Sequence, residues 1–204
     1  YFQNPLNNWV YCAHDGGISR SKDYGSTWTT LSAGLHVTQY YRISTVPNSS
    51  NIVLGGTQDN GHHVKYTNTS AFRWSLTCCD GMDNAINPDN PGIIYMSSQR
   101  GGLNRSVDSG KTWTAIRTNA SSWVAPILLH STTPTTIFKA ENTGIWRSTN
   151  SGIDGWENLG TDGRGAIAQG VNNTNRFFAA SDNGTLLRRS NNINSAAANV
   201  IWTV

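Results

Sequence analysis

Tryptophan recurs along this chain at a nearly constant interval, and that interval limits the fold more than any other feature. Trp28, Trp74, Trp113, Trp156 and Trp202 lie 46, 39, 43 and 46 residues apart. A period of about 40 to 50 residues fits a repeat of four short antiparallel strands. Between the marks, apolar runs alternate with Asn, Ser, Thr and Gly, the pattern of strands bounded by tight turns. One unit divides into strand A at 81–88, strand B at 92–99, strand C at 102–107 and strand D at 111–116. The same order recurs at 40–77, 123–160 and 166–204, so four units are complete. The first begins late, with its strand B at 9–14, and its inner strand is expected to be missing or supplied elsewhere.

Strands C and D are joined by a motif that keeps the same period. Ser21-Lys22-Asp23-Tyr24-Gly25-Ser26-Thr27-Trp28 and Ser106-Val107-Asp108-Ser109-Gly110-Lys111-Thr112-Trp113 both read S-x-D-x-G-x-T-W. Ser148, Asn150, Gly152 and Trp156 form a looser copy with Asn in place of Asp, and in the second and last units only the tryptophan is left. A short Asp or Asn side chain accepts backbone amides inside a turn, Gly takes a positive φ, and Trp packs between sheets. Asp23 and Asp108 therefore read as turn-holders, not as catalytic acids.

This motif resembles the Asp box, and the chain resembles the Asp-box (BNR-repeat) β-propellers of sialidases, xyloglucanases and sortilin-like receptors. The runs GGTQDNG at 55–61 and DGMDNAINPDNPGIIY at 80–95 are similar to secreted bacterial propellers of the sortilin-like and BNR glycosyl-hydrolase type. The resemblance implies an all-β fold, a β-propeller of four-stranded antiparallel blades in a single domain. About five blades are expected, over approximately 1–31, 38–77, 81–117, 122–159 and 163–204. They could stand alone or form a slice of a larger propeller of six to eight blades, and the slice is favoured.

Composition narrows the function. Charged residues make up 13% of the 204, and the net charge of +3 is scattered, which argues against nucleic acid as a partner. No run approaches the ~20 apolar residues of a membrane helix, and the resemblance to secreted propellers implies a secreted or cell-surface setting. Cys12, Cys78 and Cys79 allow at most one ordinary disulfide, and free structural thiols are expected. His62-His63 is poor spacing for a metal and no EF-hand loop occurs. The expectation is no cofactor and no metal, with Ca²⁺ on the Asp-rich turns as the weaker option.

Blade topology then groups the polar candidates. The motifs mark one end of each blade, and the B–C turns and D–A connections gather at the other. That end collects Asp15, Tyr41, Arg42, Gln58, Asn60, Gln99, Arg100, Trp123, Glu141, Asp162 and Arg164 as ligand-binding candidates. Amides and carboxylates can grip sugar hydroxyls while Trp or Tyr stacks on a pyranose ring. Asp59 with Asp80 or Asp83 is the best carboxylate pair for glycoside hydrolysis, which usually needs two carboxyl groups about 5 to 10 Å apart. Tyr41-Arg42-Ile43 resembles part of the sialidase Phe/Tyr-Arg-Ile-Pro motif, but Ser44 stands where proline belongs. The expected function is a noncatalytic extracellular module binding glycan or protein, or a structural part of a larger assembly, with further blades or a partner chain. The alternative is a glycoside hydrolase of sialidase or xyloglucanase type.

Overall fold

The computed structural model describes residues 2–3, 9–14, 16–35, 38–47, 49–66, 73–75 and 79–204. They fall into two compact units, Tyr1–Gln39 and Tyr40–Val204. Strand, turn and two single-turn 3-10 segments, Gln99–Gly101 and Ala197–Asn199, account for the regular structure. No helix among the described residues is long and apolar enough to cross a membrane.

The first unit is one antiparallel sheet of β1 (Phe2–Gln3), β2 (Val10–His14), β3 (Gly17–Ser21) and β4 (Thr29–Thr30). Its inner strand is present, contrary to expectation: β1 pairs with β2, Phe2 opposite Tyr11 and Gln3 opposite Val10. The two-residue strand has no apolar alternation to announce it.

The second unit holds four sheets, each laid down in chain order. The second sheet of the chain comprises β5 (Tyr40–Val46), β6 (Ser49–Thr57), β7 (His62–Lys65) and β8 (Arg73–Ser75). The third comprises β9 (Gly81–Ile86), β10 (Ile94–Ser98), β11 (Leu103–Ser106) and β12 (Thr114–Arg117). The fourth comprises β13 (Ile127–Leu129), β14 (Ile137–Glu141), β15 (Gly144–Ser148) and β16 (Glu157–Asn158). The last has three strands, β17 (Ala166–Gln169), β18 (Phe177–Ala180) and β19 (Leu187–Ser190). Its expected fourth strand is reduced to one antiparallel bridge between Arg189 and Thr203.

The third and fourth sheets bury both faces of their B strands, and this explains why those strands are continuous apolar runs. In β10, Ile94, Tyr95 and Met96 are all fully buried. Ile94 and Met96 pack with Leu54 and Val64 of the second sheet, whereas Tyr95, pointing the other way, packs with Ile127 and Ile137 of the fourth. In β14 the alternation repeats: Ile137 faces Tyr95, and Phe138 meets Phe177 of the last sheet with ring centroids 4.8 Å apart.

The repeated C–D motif closes the same hydrogen-bonded turn each time. The Ser21 hydroxyl donates to Asp23 Oδ1 (2.7 Å) and accepts from the Gly25 amide (2.8 Å). Asp23 accepts in turn from the Thr27 amide (2.8 Å) and hydroxyl (2.6 Å). Ser106, Asp108, Gly110 and Thr112 repeat these bonds at 2.7, 2.9, 2.9 and 2.6 Å. Two successive residues take positive φ, 58° and 92° at Tyr24 and Gly25, 64° and 79° at Ser109 and Gly110, 63° and 77° at Ser151 and Gly152. The Trp28 and Trp156 indoles donate to the Gly25 and Gly152 carbonyls, at 3.1 and 3.3 Å. These bonds hold the Asp23 carboxyl down at about 2, chiefly through Thr27 and then Ser21, and they lower Asp108 in the same way. In the last sheet the turn survives without its consensus, because Ser190 donates to Asn192 Oδ1 (3.0 Å) and accepts from the Asn192 amide (3.2 Å). The corresponding stretch of the second sheet, 67–72, lies outside the described residues.

Asn150 does in its turn what Asp does in the others, accepting the Asp154 amide at 3.2 Å. Asp108→Asn is therefore expected to lower the thermal midpoint less than Asp108→Ala, which loses the acceptor altogether; parallel calorimetric scans of the two variants check this.

Two adjacent histidines on β7 are buried. His63 Nδ1 meets the Tyr40 hydroxyl at 3.0 Å, edge-on to its ring. Gly55 makes room for that ring, since a Cβ there would lie 2.4 Å from it. His62 is buried with no hydrogen bond at Nε2, and burial depresses it from 6.5 to about 3. A group depressed in the folded state contributes stability that is complete above its unfolded pKa and disappears as pH falls. Stability is expected to decline from pH 6.5 towards 3, at up to ~1.4 kcal/mol per pH unit for one proton. Urea titrations at pH 7.5, 5.5 and 4.5 should show that slope flattened in His62→Leu.

Candidate functional site

Within Tyr40–Val204, the end opposite the repeated turns is tied together by hydrogen bonds passed from each sheet to the next. Asp59, at the β6–β7 turn, donates its amide to Asp80 Oδ1 in the β8–β9 connection (2.6 Å). The Asp80 amide donates to Gln99 Oε1 in the β10–β11 turn (3.1 Å). The Arg100 amide donates to the Trp123 carbonyl in the β12–β13 connection (3.2 Å), and the Ser121 amide returns a bond to the Arg100 carbonyl (2.9 Å). The Ser122 hydroxyl donates to the Arg164 carbonyl (2.9 Å), and the Arg164 guanidinium reaches Asn142 Oδ1 (3.3 Å).

Seven non-glycine residues among those described have positive φ. Tyr24, Ser109 and Ser151 occupy the same position of the repeated turn, and the other four, Asp59, Cys79, Arg100 and Thr161, all lie on this rim. Each such residue costs of order 1 kcal/mol or more and persists only where its surroundings enforce it. Asn60, whose side chain donates to the Gln58 carbonyl (3.1 Å), braces the same β6–β7 turn.

No family model and no curated protein matches the sequence. Solved structures do. The Niastella koreensis GH74 enzyme aligns over 98% of this chain with a TM-score of 0.64 at 20% identity, and 29% of that enzyme is covered. A GH74 xyloglucanase from Xanthomonas campestris aligns over 95% with a TM-score of 0.58 at 14% identity, and 36% of it is covered. YCF48 bound to D1 peptide aligns over 95% with a TM-score of 0.54 at 16% identity, and 62% of it is covered. The chain spans less than two thirds of each. The fold is that of a β-propeller.

In this propeller array the candidate carboxylates have different surroundings. Asp83, on inner strand β9, accepts the Asn84 amide at Oδ1 (2.9 Å) and, at Oδ2, the Ile127 amide of the next blade's inner strand (3.0 Å). Burial pushes its pKa up, against these bonds and the charge of Arg42. Asp80 is buried beneath the Asp59 amide, and the Asp59 side chain is exposed. Arg42 is exposed and donates to the Tyr41 carbonyl (3.0 Å). Asp162 holds Arg164 through Oδ1–Nε (3.0 Å) and Oδ2–Nη2 (3.1 Å), and that guanidinium lowers the carboxyl. Trp123 is 46% exposed, with the Arg100 guanidinium 5.9 Å from its ring centre. Asp15 lies outside the described residues.

Glu141 is buried and not presented on the rim. Its carboxylate is buried and paired with Lys139 Nζ (2.8 Å) and with Arg117, whose Nη2 lies 3.0 Å from Oε2. Lys139 also donates to the Asn119 carbonyl (2.9 Å), and burial lowers its pKa. The Arg117 guanidinium lies 4.1 Å from the Trp146 ring centre and 4.9 Å from that of Trp156. Glu141 reads from sequence as a turn residue facing a ligand, whereas the structure makes it the anion between a buried lysine and a half-buried arginine. The partners come from β12 and from two positions back on β14, and no local pattern announces that meeting. The cysteines also depart from expectation: Cys79 is disulfide-bonded and Cys12 is a free thiol, while Cys78 lies outside the described residues.

Removing the anion leaves the fully buried Lys139 and the half-buried Arg117 without their counter-charge. Glu141→Gln is expected to lower the unfolding free energy by about 3 to 5 kcal/mol. Arg164→Gln, at the partly exposed pair, should cost under ~1 kcal/mol. Urea denaturation at neutral pH measures both.

Proposed function

We propose that the chain is a noncatalytic recognition module of an Asp-box β-propeller protein, secreted or at the cell surface, that binds a glycan or protein ligand on the rim carrying Trp123. Residues 1–204 make up the module in this reading. The observation that carries it is the division of labour on the rim. Asp80, Asp83 and Asp162 are engaged by backbone amides or an arginine, while the Trp123 indole is presented to solvent beside Arg100. A half-exposed indole on a braced loop offers a flat apolar surface to a pyranose ring or a peptide side chain, and a neighbouring guanidinium supplies donors to hydroxyls or carbonyls. The Ser-x-Asp/Asn turns support the Asp-box assignment. The peptide in the YCF48 structure and the enzymes of the GH74 likenesses support the two ligand classes.

A glycoside hydrolase is the second reading, favoured by the raised pKa of Asp83. General-acid chemistry needs such a carboxyl, but both Asp83 oxygens accept backbone amides, one from its own neighbour Asn84 and one from Ile127 of the next inner strand.

Binding is expected on an array of glycans and peptides, with no turnover of xyloglucan oligosaccharides or chromogenic glycosides. Trp123→Ala should weaken that binding about tenfold or more, consistent with the ~1.5 to 3 kcal/mol of a buried aromatic contact, without moving the thermal midpoint. Turnover abolished by Asp83→Asn, Asp80→Ala or Asp59→Ala would replace the binding reading with the hydrolase.

A further inference from the structure

The turn that leaves the inner strand recurs as regularly as the Ser-x-Asp/Asn turn. The Asn87 amide donates to the Ile93 carbonyl (3.0 Å), that of His130 to Thr136 (2.9 Å) and that of Gly170 to Arg176 (2.8 Å). The far amide of each turn reaches back three residues, from Ile93 to Asn90, from Thr136 to Thr133 and from Arg176 to Asn173. In the third blade the first residue of the turn supplies an acceptor: Asn87 Oδ1 takes the Asp89 and Asn90 amides, at 2.9 and 3.1 Å. In the fourth, a ring nitrogen does the same. His130 Nδ1 takes the Thr132 and Thr133 amides, at 3.3 and 3.1 Å. The last blade has Gly170 at this position, with no side chain to offer.

Two backbone N–H groups directed at Nδ1 fix the tautomer. Nδ1 carries the lone pair, the proton sits on Nε2, and Nε2 donates to Asn194 Oδ1 of the last blade (3.2 Å). A ring of bonds then joins the two blades. Asn194 Nδ2 donates to Thr174 Oγ1 (3.4 Å), Gln169 Nε2 to the Thr174 carbonyl (2.6 Å), and the Ser131 amide to Gln169 Oε1 (2.8 Å). His130 is buried, its ring stacked on Phe138. The charge that bears on it is Arg147 of β15, which donates to the Ile193 and Ser195 carbonyls, at 2.6 and 2.9 Å, and pairs with Glu157 of β16 (2.6 Å). Burial holds the imidazole below its ordinary 6.5, with the Asn194 bond opposing and Arg147 adding to the effect.

We propose that His130 is an acid-released latch: protonation at Nδ1 opens the 130–136 turn and cuts its bonds to the last blade at Asn194 and Gln169. An imidazolium carries N–H at both nitrogens, so Nδ1 then faces two donors with a third, and both amides lose their acceptor. Asn87 takes up no proton, and the same turn in the third blade is left without this response. A group whose pKa is depressed in the closed form keeps that form complete above the ordinary imidazole range and loses it as pH falls through the depressed value. The latch stands at the end carrying the Ser-x-Asp/Asn turns, where the Ser151 amide donates to the Thr135 carbonyl (2.6 Å). It is independent of any ligand on the Trp123 rim.

Amide exchange of the full chain at pH 7.0, 6.0, 5.0 and 4.5, corrected for intrinsic rates, tests this beside the ¹⁵N shifts of the His130 ring. Protection at Ser131, Thr132 and Thr133 should fall by up to about tenfold per pH unit below the titration of the ring, while Asp89 and Asn90 keep theirs. His130→Asn, which installs the third blade's acceptor, should hold the turn at pH 7.0 and flatten its pH dependence. The comparison of the two turns within the unsubstituted chain decides the matter even where the variant does not fold. Equal losses at Asp89 and Asn90, a pH dependence unchanged in His130→Asn, or a neutral ring with a protected turn down to pH 4.5 would overturn the proposal.

Discussion

A blade between two others has no solvent face, and the structure of Tyr40–Val204 follows from that constraint. With both faces covered, strand B must be apolar at successive positions, as Ile94-Tyr95-Met96 and Ile137-Phe138 are. A strand facing water on one side would show period-2 alternation. The same constraint gives polar residues two places to go. They gather at the blade ends, in turns that satisfy their own hydrogen bonds, or they enter the seams as paired groups such as Arg147 with its loop carbonyls and Glu141 with its two cations.

Much of this architecture was legible before any coordinates. The tryptophan period locates the blades, and the third blade's strands fall at 81–86, 94–98, 103–106 and 114–117, within about three residues of their expected bounds. Turn punctuation and hydrophobic runs act locally, so local reading finds them. The last blade's turn was missed because Ser190-Asn191-Asn192 keeps the hydrogen bonds and drops the Asp and Gly that identify the motif. The arginine that precedes the motif serine at 20, 105, 147 and 189 stands in the sequence at the blade period. A search for apolar repeats passes over it, since its value lies in a neighbour some 45 residues away.

The candidate rim divides in the same manner. Topology brought Asp59, Asp80, Gln99, Arg100, Trp123 and Arg164 to one end, and the structure links them by hydrogen bonds. What spacing could not show is how each carboxylate is occupied. Whether Asp83 faces a ligand or an amide is decided by Ile127, 44 residues downstream on another inner strand. The four left-handed residues on the rim give its loops one conformation, so whatever meets Trp123 meets a surface already shaped.

The turn at Ser148–Gly152 closes around Asn150 with the same serine bond that closes around Asp23 and Asp108, 2.7 Å in each case. The carboxylate has moved rather than gone: Asp154 stands where Thr27 and Thr112 stand in the other turns, and it accepts from the Asn150 side-chain amide. The Asp–Thr and Asn–Asp pairs are thus two ways of filling the same two positions, with donor and acceptor exchanged. Such a turn can relocate its one negative charge by four residues while its backbone stays the same.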